Sequence, residues 1–241
     1  QHIDMVKQVI ELFNINPDVN FNILDKKPDL NSITSLIIEE LRKDFDKYKP
    51  ILLFIQGDTT SAFAAALAAF YEKIPIAHVE AGLRTNNIFD PYPEEANRRL
   101  ISQISTLNFA PTKKAVDNLK SSSITGEIFH TGNTVVDSLL FVKQNSKLNI
   151  DSILKIGNKR IILLTVHRRE NWGNNLAEIS KGIIKILKNN QDVICLLPLH
   201  KNKLVRDPLQ QYLGSQERII FKEPLNYEEL VSVLSNSSII L

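Results

Sequence analysis

Apolar residues along this chain recur at two spacings, and the two alternate. Ile3, Val6, Ile10 and Phe13 fall at helical spacing across 3–15, and Ile33, Leu36, Ile37 and Leu41 do the same across 31–48. The wholly apolar run 51–55, between Pro50 and Gly57, then predicts a strand buried on both faces. An Ala-rich helix over 62–71, a strand over 75–79, a helix opening near Pro93, a strand near 105–109 and a helix after Pro111-Thr112 follow. A short strand at 128–130 and a helix at 134–142 end this first series.

The next stretch, 143–159, is polar and weakly periodic, which predicts a linker. Alternation then restarts, with strands at 161–166, 193–197, 218–221 and 237–241 and helices at 174–189, 203–213 and 226–235. Strands alternating with helices of this length imply parallel sheets covered on both faces. The prediction is an α/β chain of two Rossmann-like domains, 1–145 and 160–241, joined by a linker at 146–159. A ligand cleft is expected between them.

Composition narrows the class of function. Of 241 residues, 43% are apolar and 23% charged, ordinary values for a protein with a packed core. A net charge of +2, with basic and acidic residues interleaved, gives no reason to expect a nucleic-acid partner. One cysteine, Cys195, rules out an internal disulfide framework and a Cys-rich metal site, and its apolar neighbours make it a core residue. No apolar run approaches the ~20 residues that span a bilayer, and nothing in the sequence resembles a signal peptide, so a cytoplasmic protein is expected. The chain opens at Gln1, closes on the apolar run 238–241 and has only eight glycines, which reads as a piece of a longer protein.

In doubly wound sheets, ligands bind beyond the carboxyl ends of the strands. Polar clusters stand at three such ends: Gln56-Gly57-Asp58-Thr59-Thr60-Ser61, His78-Val79-Glu80-Ala81-Gly82-Leu83-Arg84, and His167-Arg168-Arg169-Glu170-Asn171. Each has a structural reading. Asp58 is a good helix cap, and Glu80 can pair with Arg84 on the surface. Glu94 and Glu95 suit a first helical turn and stand four residues before Arg98 and Arg99, which allows two ordinary i,i+4 ion pairs. His167 resists such a reading, because a proton carrier beside two arginines suits a phosphorylated substrate. His200 follows another strand, where a structural histidine is equally plausible. No GxxxxGK[ST], GxGxxG or HExxH pattern and no carboxylate set spaced for a metal occurs, so no ATP, bound NAD, zinc or other cofactor is expected.

Together the stretches QGDTTSAFAAALAAFYEKIPIAHVEAGLRT, PYPEEANRRLIS, FAPT, TGNTVVDSL and TVHRREN resemble the non-hydrolysing UDP-N-acetylglucosamine 2-epimerase family, in order from Gln1 to Leu241. The resemblance implies a pair of Rossmann-like domains of the GT-B kind and a homodimer. It implies interconversion of UDP-N-acetylglucosamine and UDP-N-acetylmannosamine through elimination and re-addition of UDP, feeding surface polysaccharide. The family's catalytic carboxylates match Asp58, Glu80 and Glu94, and its essential histidine matches His167. On this reading Asp58 and Glu80 work near the reacting carbon, Glu94 orders the site and His167 supports the leaving diphosphate. Arg84, Arg168 and Arg169 are the matching candidates for holding the substrate.

The resemblance also carries an activator site for a second UDP-sugar, at Gln1, Asp4, Lys27, Glu94, Arg168 and His200. Asp4 stands where glutamine is usual and Lys27 where arginine is usual. An aspartate repels a diphosphate and a lysine lacks the guanidinium fork, which argues against activation here. A 2-epimerase of a UDP-diacetamido-uronic acid shares the same clusters. A GT-B glycosyltransferase gives no reason for the carboxylate set, and a non-catalytic nucleotide-sugar sensor gives no reason to keep acid/base groups. The resemblance places a GTRPE-like loop before Gln1 and a Ser-Gly-Gly loop after Leu241, so residues 1–241 alone are expected to lack epimerase activity. Turnover of UDP-N-acetylglucosamine by this piece would overturn that expectation.

Overall fold

The computed structural model describes residues 3–23, 29–146, 148–154, 157–166, 174–199 and 202–241. Two compact units divide at Asp137/Ser138, and the second also holds the first helix, α1 (Ile3–Leu12). Phe13, just past α1, stacks its ring on Phe141 at 5.5 Å and leans on Tyr227 at 6.3 Å, both residues of that second unit. Among the described residues no helix is long and apolar enough to cross a membrane.

The first unit runs α2 (Leu30–Tyr48), β1 (Leu53–Gln56), α3 (Thr60–Tyr71), β2 (Ile76–Val79), α4 (Glu94–Ile104), β3 (Leu107–Ala110), α5 (Lys113–Ser121) and β4 (Glu127–His130), and α6 (Thr134–Asn145) begins at its end. Local chemistry sets these bounds. The Asp29 carboxylate accepts the Ser32 N–H at 2.8 Å to start α2, and Thr112 accepts the Ala115 N–H at 3.1 Å to start α5.

All neighbours in this sheet are parallel, in the order β1-β2-β3-β4. Every crossover therefore steps in the same direction. Right-handed crossovers that all step one way put their helices on one face of the sheet. Ile55, Ile76 and Ile128 pack beneath α3, α4 and α5 on that face. The other face carries a row of rings, Phe54 against Phe109 at 6.3 Å and Phe109 against Phe129 at 5.5 Å. Phe54 is 62% exposed, so the expectation that β1 is buried on both faces does not hold among the described residues. Periodicity registers that a strand is apolar, whereas the direction of the crossovers decides which face gets a helix.

The second unit continues with α7 (Ile150–Ile153), β5 (Arg160–Leu163), α8 (Asn174–Asn189), β6 (Val193–Pro198), α9 (Lys203–Leu213), β7 (Ile219–Lys222), α10 (Tyr227–Asn236) and β8 (Ser237–Ile240). Helix α10 starts with a reciprocal cap, Asn226 accepting the Glu229 N–H while the Glu229 carboxylate accepts the Asn226 N–H. Within the polar stretch 143–159, α7 forms and buries Ile153 and Leu154 in this unit's core. The strand order is β7-β6-β5-β8, all parallel. Here the crossovers reverse at β5, and both faces gain helices. Ile162, Cys195 and Leu197 face α8 and α9, while Ile161, Leu163, Ile194 and Leu196 face α7 and α10. Cys195 is buried as expected, and desolvation pushes its thiol up to about 12. Strand order reverses at β5, which makes its carboxyl end a topological switch point, the usual place for a ligand in such sheets.

Gly82, just beyond β2, has φ +88, and a Cβ there would meet the Ala115 carbonyl oxygen at 2.4 Å. Backbone cannot swing aside as a side-chain tip can. Gly82→Ala is expected to cost about 2–4 kcal/mol from the left-handed backbone and the overlap together, read by urea unfolding.

Candidate active site

Asp58 stands in the turn between β1 and α3, at the carboxyl edge of the first sheet. It is not the helix cap. Thr59 fills that place, accepting the Ala62 N–H at 3.2 Å through its hydroxyl. The Asp58 carboxylate instead accepts from Arg98 Nε at 2.7 Å, a partner forty residues away on α4. Gly57 takes φ +74 to make the turn, and its N–H donates to the Val79 carbonyl at 3.1 Å. Two further bonds hold this turn: His78 Nε2 lies 2.8 Å from the Gly57 carbonyl, and Asn97 Nδ2 donates to the Asp58 carbonyl at 2.8 Å.

Glu80 directly follows β2 on the same edge, half-buried, in the left-handed region at φ +67. A non-glycine residue held there costs of order 1–3 kcal/mol and marks a place the surroundings over-determine. The surface pair with Arg84 is not formed. Arg84 Nη1 donates to the Leu83 carbonyl at 2.8 Å and Nη2 to the Ser102 hydroxyl at 2.9 Å. The Glu80 carboxylate lies toward Gly57 instead, where an added Cβ would come 3.9 Å from Oε2.

Glu94 and Glu95 open α4, and the structure separates them. Glu95 is fully buried and binds both arginines, Arg99 Nε at 2.8 Å and Arg98 Nη1 at 3.1 Å. Arg99 also donates to the Thr85 carbonyl at 3.0 Å, which ties the loop after β2 to the helix. Among the described residues Glu94 forms no ion pair with Arg98, whose nitrogens engage Asp58 and Glu95. The i,i+4 reading therefore holds for Glu95 with Arg99 and fails for Glu94. Glu94 is half-buried in the first turn of α4, beyond the carboxyl end of β2.

Asp58 and Glu80 thus follow adjacent strand ends, Glu94 opens the helix whose Asn97 bonds the Asp58 turn, and none of the three takes the structural role that spacing offered it. Sequence reading missed the residues that bind them in place, Arg98 on Asp58 and the pair His78 and Asn97 on the turn. Arg98 and Asn97 read in the sequence only as polar residues of a helix, and spacing within α4 gives no sign of a partner on the turn before α3. His78 left one visible signal, a histidine inside a four-residue strand with apolar neighbours.

His167, Arg168, Arg169 and Glu170 follow β5 in the chain and lie outside the described residues, as do Gln1, Lys27 and His200. Asp4 falls within α1, on a helix of the second unit. Among the described residues no group of three or more His, Cys, Asp or Glu is arranged to hold a metal ion.

Electrostatics follow the geometry. Burial is the largest influence on Glu95 and raises its carboxyl, but hydrogen bonds from Arg99, the Thr85 N–H and Arg98 together outweigh it and hold the group below its ordinary value. Burial holds the His78 imidazole below its ordinary value too, partly offset by the bond to Gly57. Both shifts weaken the fold in acid. The unfolded chain takes up a proton at His78 below an ordinary value of 6.5 before the folded chain does, so stability falls as pH drops through that window. Glu95 adds its loss further down, below 4.5. His78→Gln is expected to flatten the fall in unfolding free energy between about pH 6.5 and pH 5, measured by urea titration. A slope equal to wild type would assign that fall to other groups.

The family profile described as UDP-N-acetylglucosamine 2-epimerase matches residues 1–241. A UDP-N-acetylglucosamine 2-epimerase of Neisseria meningitidis is 42% identical over 251 residues, covering 100% of this chain and 67% of that protein. One from Campylobacter jejuni is 40% identical over 253 residues, covering 100% of this chain and 66% of its own. A crystal structure of UDP-GlcNAc 2-epimerase from N. meningitidis bound to UDP-GlcNAc superposes with a TM-score of 0.87 at 41% identity, over 100% of this chain and 67% of that one. The chain spans roughly two thirds of the length of the curated relatives it matches, 65% in one case and 67% in another. With a matching profile along its whole length and a shared two-sheet α/β fold, the chain belongs to the UDP-N-acetylglucosamine 2-epimerase family.

Proposed function

We propose that the protein inverts C2 of UDP-N-acetylglucosamine to give UDP-N-acetylmannosamine. One observation supports the reading: Asp58 and Glu80 follow adjacent strand ends and Asn97 ties the helix that Glu94 opens to the Asp58 turn, while Thr59, Ser102 and Glu95 take the structural partners that would have explained the three carboxylates away. In the forward half-reaction a base takes the C2 proton as the C1–O bond to UDP breaks. The electron pair of the C2–H bond becomes the C1=C2 bond of 2-acetamidoglucal, and UDP leaves with the pair from C1–O. In the return half, a UDP oxygen adds to C1 and a proton reaches C2 on the opposite face.

Such a route needs a proton carrier on each face, because a single fixed base would return the proton to the side it came from. Asp58 and Glu80, on adjacent strand ends, are the pair proposed for the two faces, with Glu94 ordering the site. His167, Arg168 and Arg169 are proposed to stabilise charge on the leaving diphosphate, since they follow the strand at which the second sheet reverses. Arg84 contributes positive charge from a side chain whose terminal nitrogens already meet protein oxygens. On this reading the first unit carries the proton transfer and the second, which holds 160–241, binds UDP. No cofactor is required by this chemistry. A cytoplasmic homodimer that supplies precursors for surface polysaccharide completes the proposal.

The test uses protein expressed from the complete gene, incubated with UDP-N-acetylglucosamine in D2O and followed by NMR. Wild type is expected to place deuterium at C2 and form the manno epimer. Asp58→Asn, Glu80→Gln and His167→Asn are each expected to slow C2 exchange by about 100-fold or more. Glu94→Gln is expected to slow it as well, and unimpaired exchange in that variant would return Glu94 to the role of a first-turn acid. Wild-type exchange in both Asp58→Asn and Glu80→Gln would overturn the acid/base assignment.

A further inference from the structure

Two buried side chains grip consecutive carbonyls of the turn that carries Asp58. From β2, His78 sets Nε2 at 2.8 Å from the Gly57 carbonyl. From α4, Asn97 donates to the Asp58 carbonyl at 2.8 Å. His78 is 1% exposed and Asn97 5%. A carbonyl oxygen only accepts, so Nε2 carries the ring proton and Nδ1 is left as a bare acceptor. Nδ1 has no partner, and neither does Oδ1 of Asn108, the residue in register with His78 on β3. A leucine would fill this space without burying an unpaired nitrogen, which costs about 1–3 kcal/mol. The Nε2 bond to Gly57 is what the imidazole gains in exchange.

The positions of these two bonds matter more than their strength. His78 precedes Glu80 by two residues on the same strand, and Gly57 directly precedes Asp58. One hydrogen bond therefore ties the element bearing Glu80 to the turn bearing Asp58, with little chain on either side to give. Asn97 follows Glu94 by one helical turn and binds the Asp58 peptide itself, which ties the third carboxylate's helix to the same turn. We infer that His78 and Asn97 are positioning residues that set the separation of Asp58, Glu80 and Glu94, a role that rests on the acid/base reading of those carboxylates. Neither side chain needs to touch the substrate. A proton-transfer group misplaced by about 1 Å can lose about 100-fold in rate, so loosening the turn acts on the chemical step rather than on binding.

The experiment measures kcat, KM and UDP affinity in protein from the complete gene for His78→Leu, His78→Gln, Asn97→Leu and the His78→Leu/Asn97→Leu double variant. His78→Leu and Asn97→Leu are expected to lower kcat about 10- to 100-fold while KM and UDP affinity stay within about twofold of wild type. His78→Gln keeps an N–H donor at a similar reach and is expected to recover most of kcat, which a purely packing role would not produce. The double variant is expected to fall by less than the product of the single losses, since both act on one turn. Wild-type kcat in a His78→Leu protein that still binds UDP overturns the inference, and so does a His78→Gln enzyme as slow as His78→Leu. If His78→Leu fails to fold, Asn97→Leu decides: a slowed kcat at unchanged KM supports the clamp, and an unchanged kcat removes it. Asp58→Asn and Glu80→Gln run alongside. Loss of exchange in those two with intact rates in the clamp variants defeats the clamp alone, whereas intact exchange in Asp58→Asn and Glu80→Gln defeats the acid/base reading and the clamp's role with it.

Discussion

Glu95 holds a carboxylate with no accessible surface, and taking such a group out of water costs several kcal/mol unless cations and N–H donors replace the lost hydration. Arg98, Arg99 and the Thr85 N–H supply the replacement. Because Arg98 is only 14% exposed, its N–H groups beyond the one on Glu95 also need acceptors, and the Asp58 carboxylate accepts from Nε. The demand of one buried charge thus propagates through a guanidinium to the β1–α3 turn. Arg99 closes the same circuit on the Thr85 carbonyl, fixing the loop that follows Glu80. With Glu95 pinned inward at the first turn of α4 and Arg98 engaged by Glu95 and Asp58, the adjacent Glu94 forms no ion pair with Arg98 among the described residues.

The two sheets solve different problems with the same βα unit. Crossovers in the first step one way, so its helices share a face and its strand ends form one uninterrupted edge. That edge suits groups that must stand at fixed distances from one another. In the second sheet the crossovers reverse at β5, helices cover both faces, and the reversal opens the strand-end position where a phosphorylated ligand is usually held. Helix position in both cases follows from strand order and the right-handed crossover, not from any difference in how apolar the strands are.

This is also where legibility in the sequence ends. Periods of 3.6 and 2, with Pro, Gly, Thr and Asn at the breaks, locate α2, α3, α8, α9 and the strands to within a few residues. The run 193–197 reads as buried on both faces and is. The equally apolar run 51–55 reads the same way, yet Phe54 faces outward among the described residues, because burial there depends on crossover direction. The site divides similarly. Strand-end position pointed to Asp58 and Glu80, but Asp58 also read as a helix cap, and only the Ala62 N–H donating to the Thr59 hydroxyl gives the cap to its neighbour. Glu94 and Glu95 are identical in type and adjacent, so spacing assigns both to ion pairs. The structure assigns one, since Glu95 turns inward and takes both Arg98 and Arg99. Contacts across forty residues, such as Arg98 on Asp58, leave no periodic trace at all.

Under the proposed reaction, rigidity at this edge has a chemical reason. Removing a proton from one face of C2 and returning one to the other requires two groups separated by the width of the sugar ring. A mobile pair would reach the same face and undo the inversion. The surrounding contacts restrain the edge in complementary ways. The backbone bond from Gly57 to Val79 and the imidazole bond from His78 hold turn to strand, the Asn97 bond holds turn to helix, and Arg98 fixes the direction of the Asp58 carboxylate. Glu80 is held by its own backbone, in a left-handed conformation that an unconstrained glutamate would leave. Strained backbone on one carboxylate and side-chain clamps on the other are two routes to the same end. Acid/base groups facing opposite sides of one carbon have to be built into the fold, because the substrate, whose bond to UDP breaks midway, cannot position them.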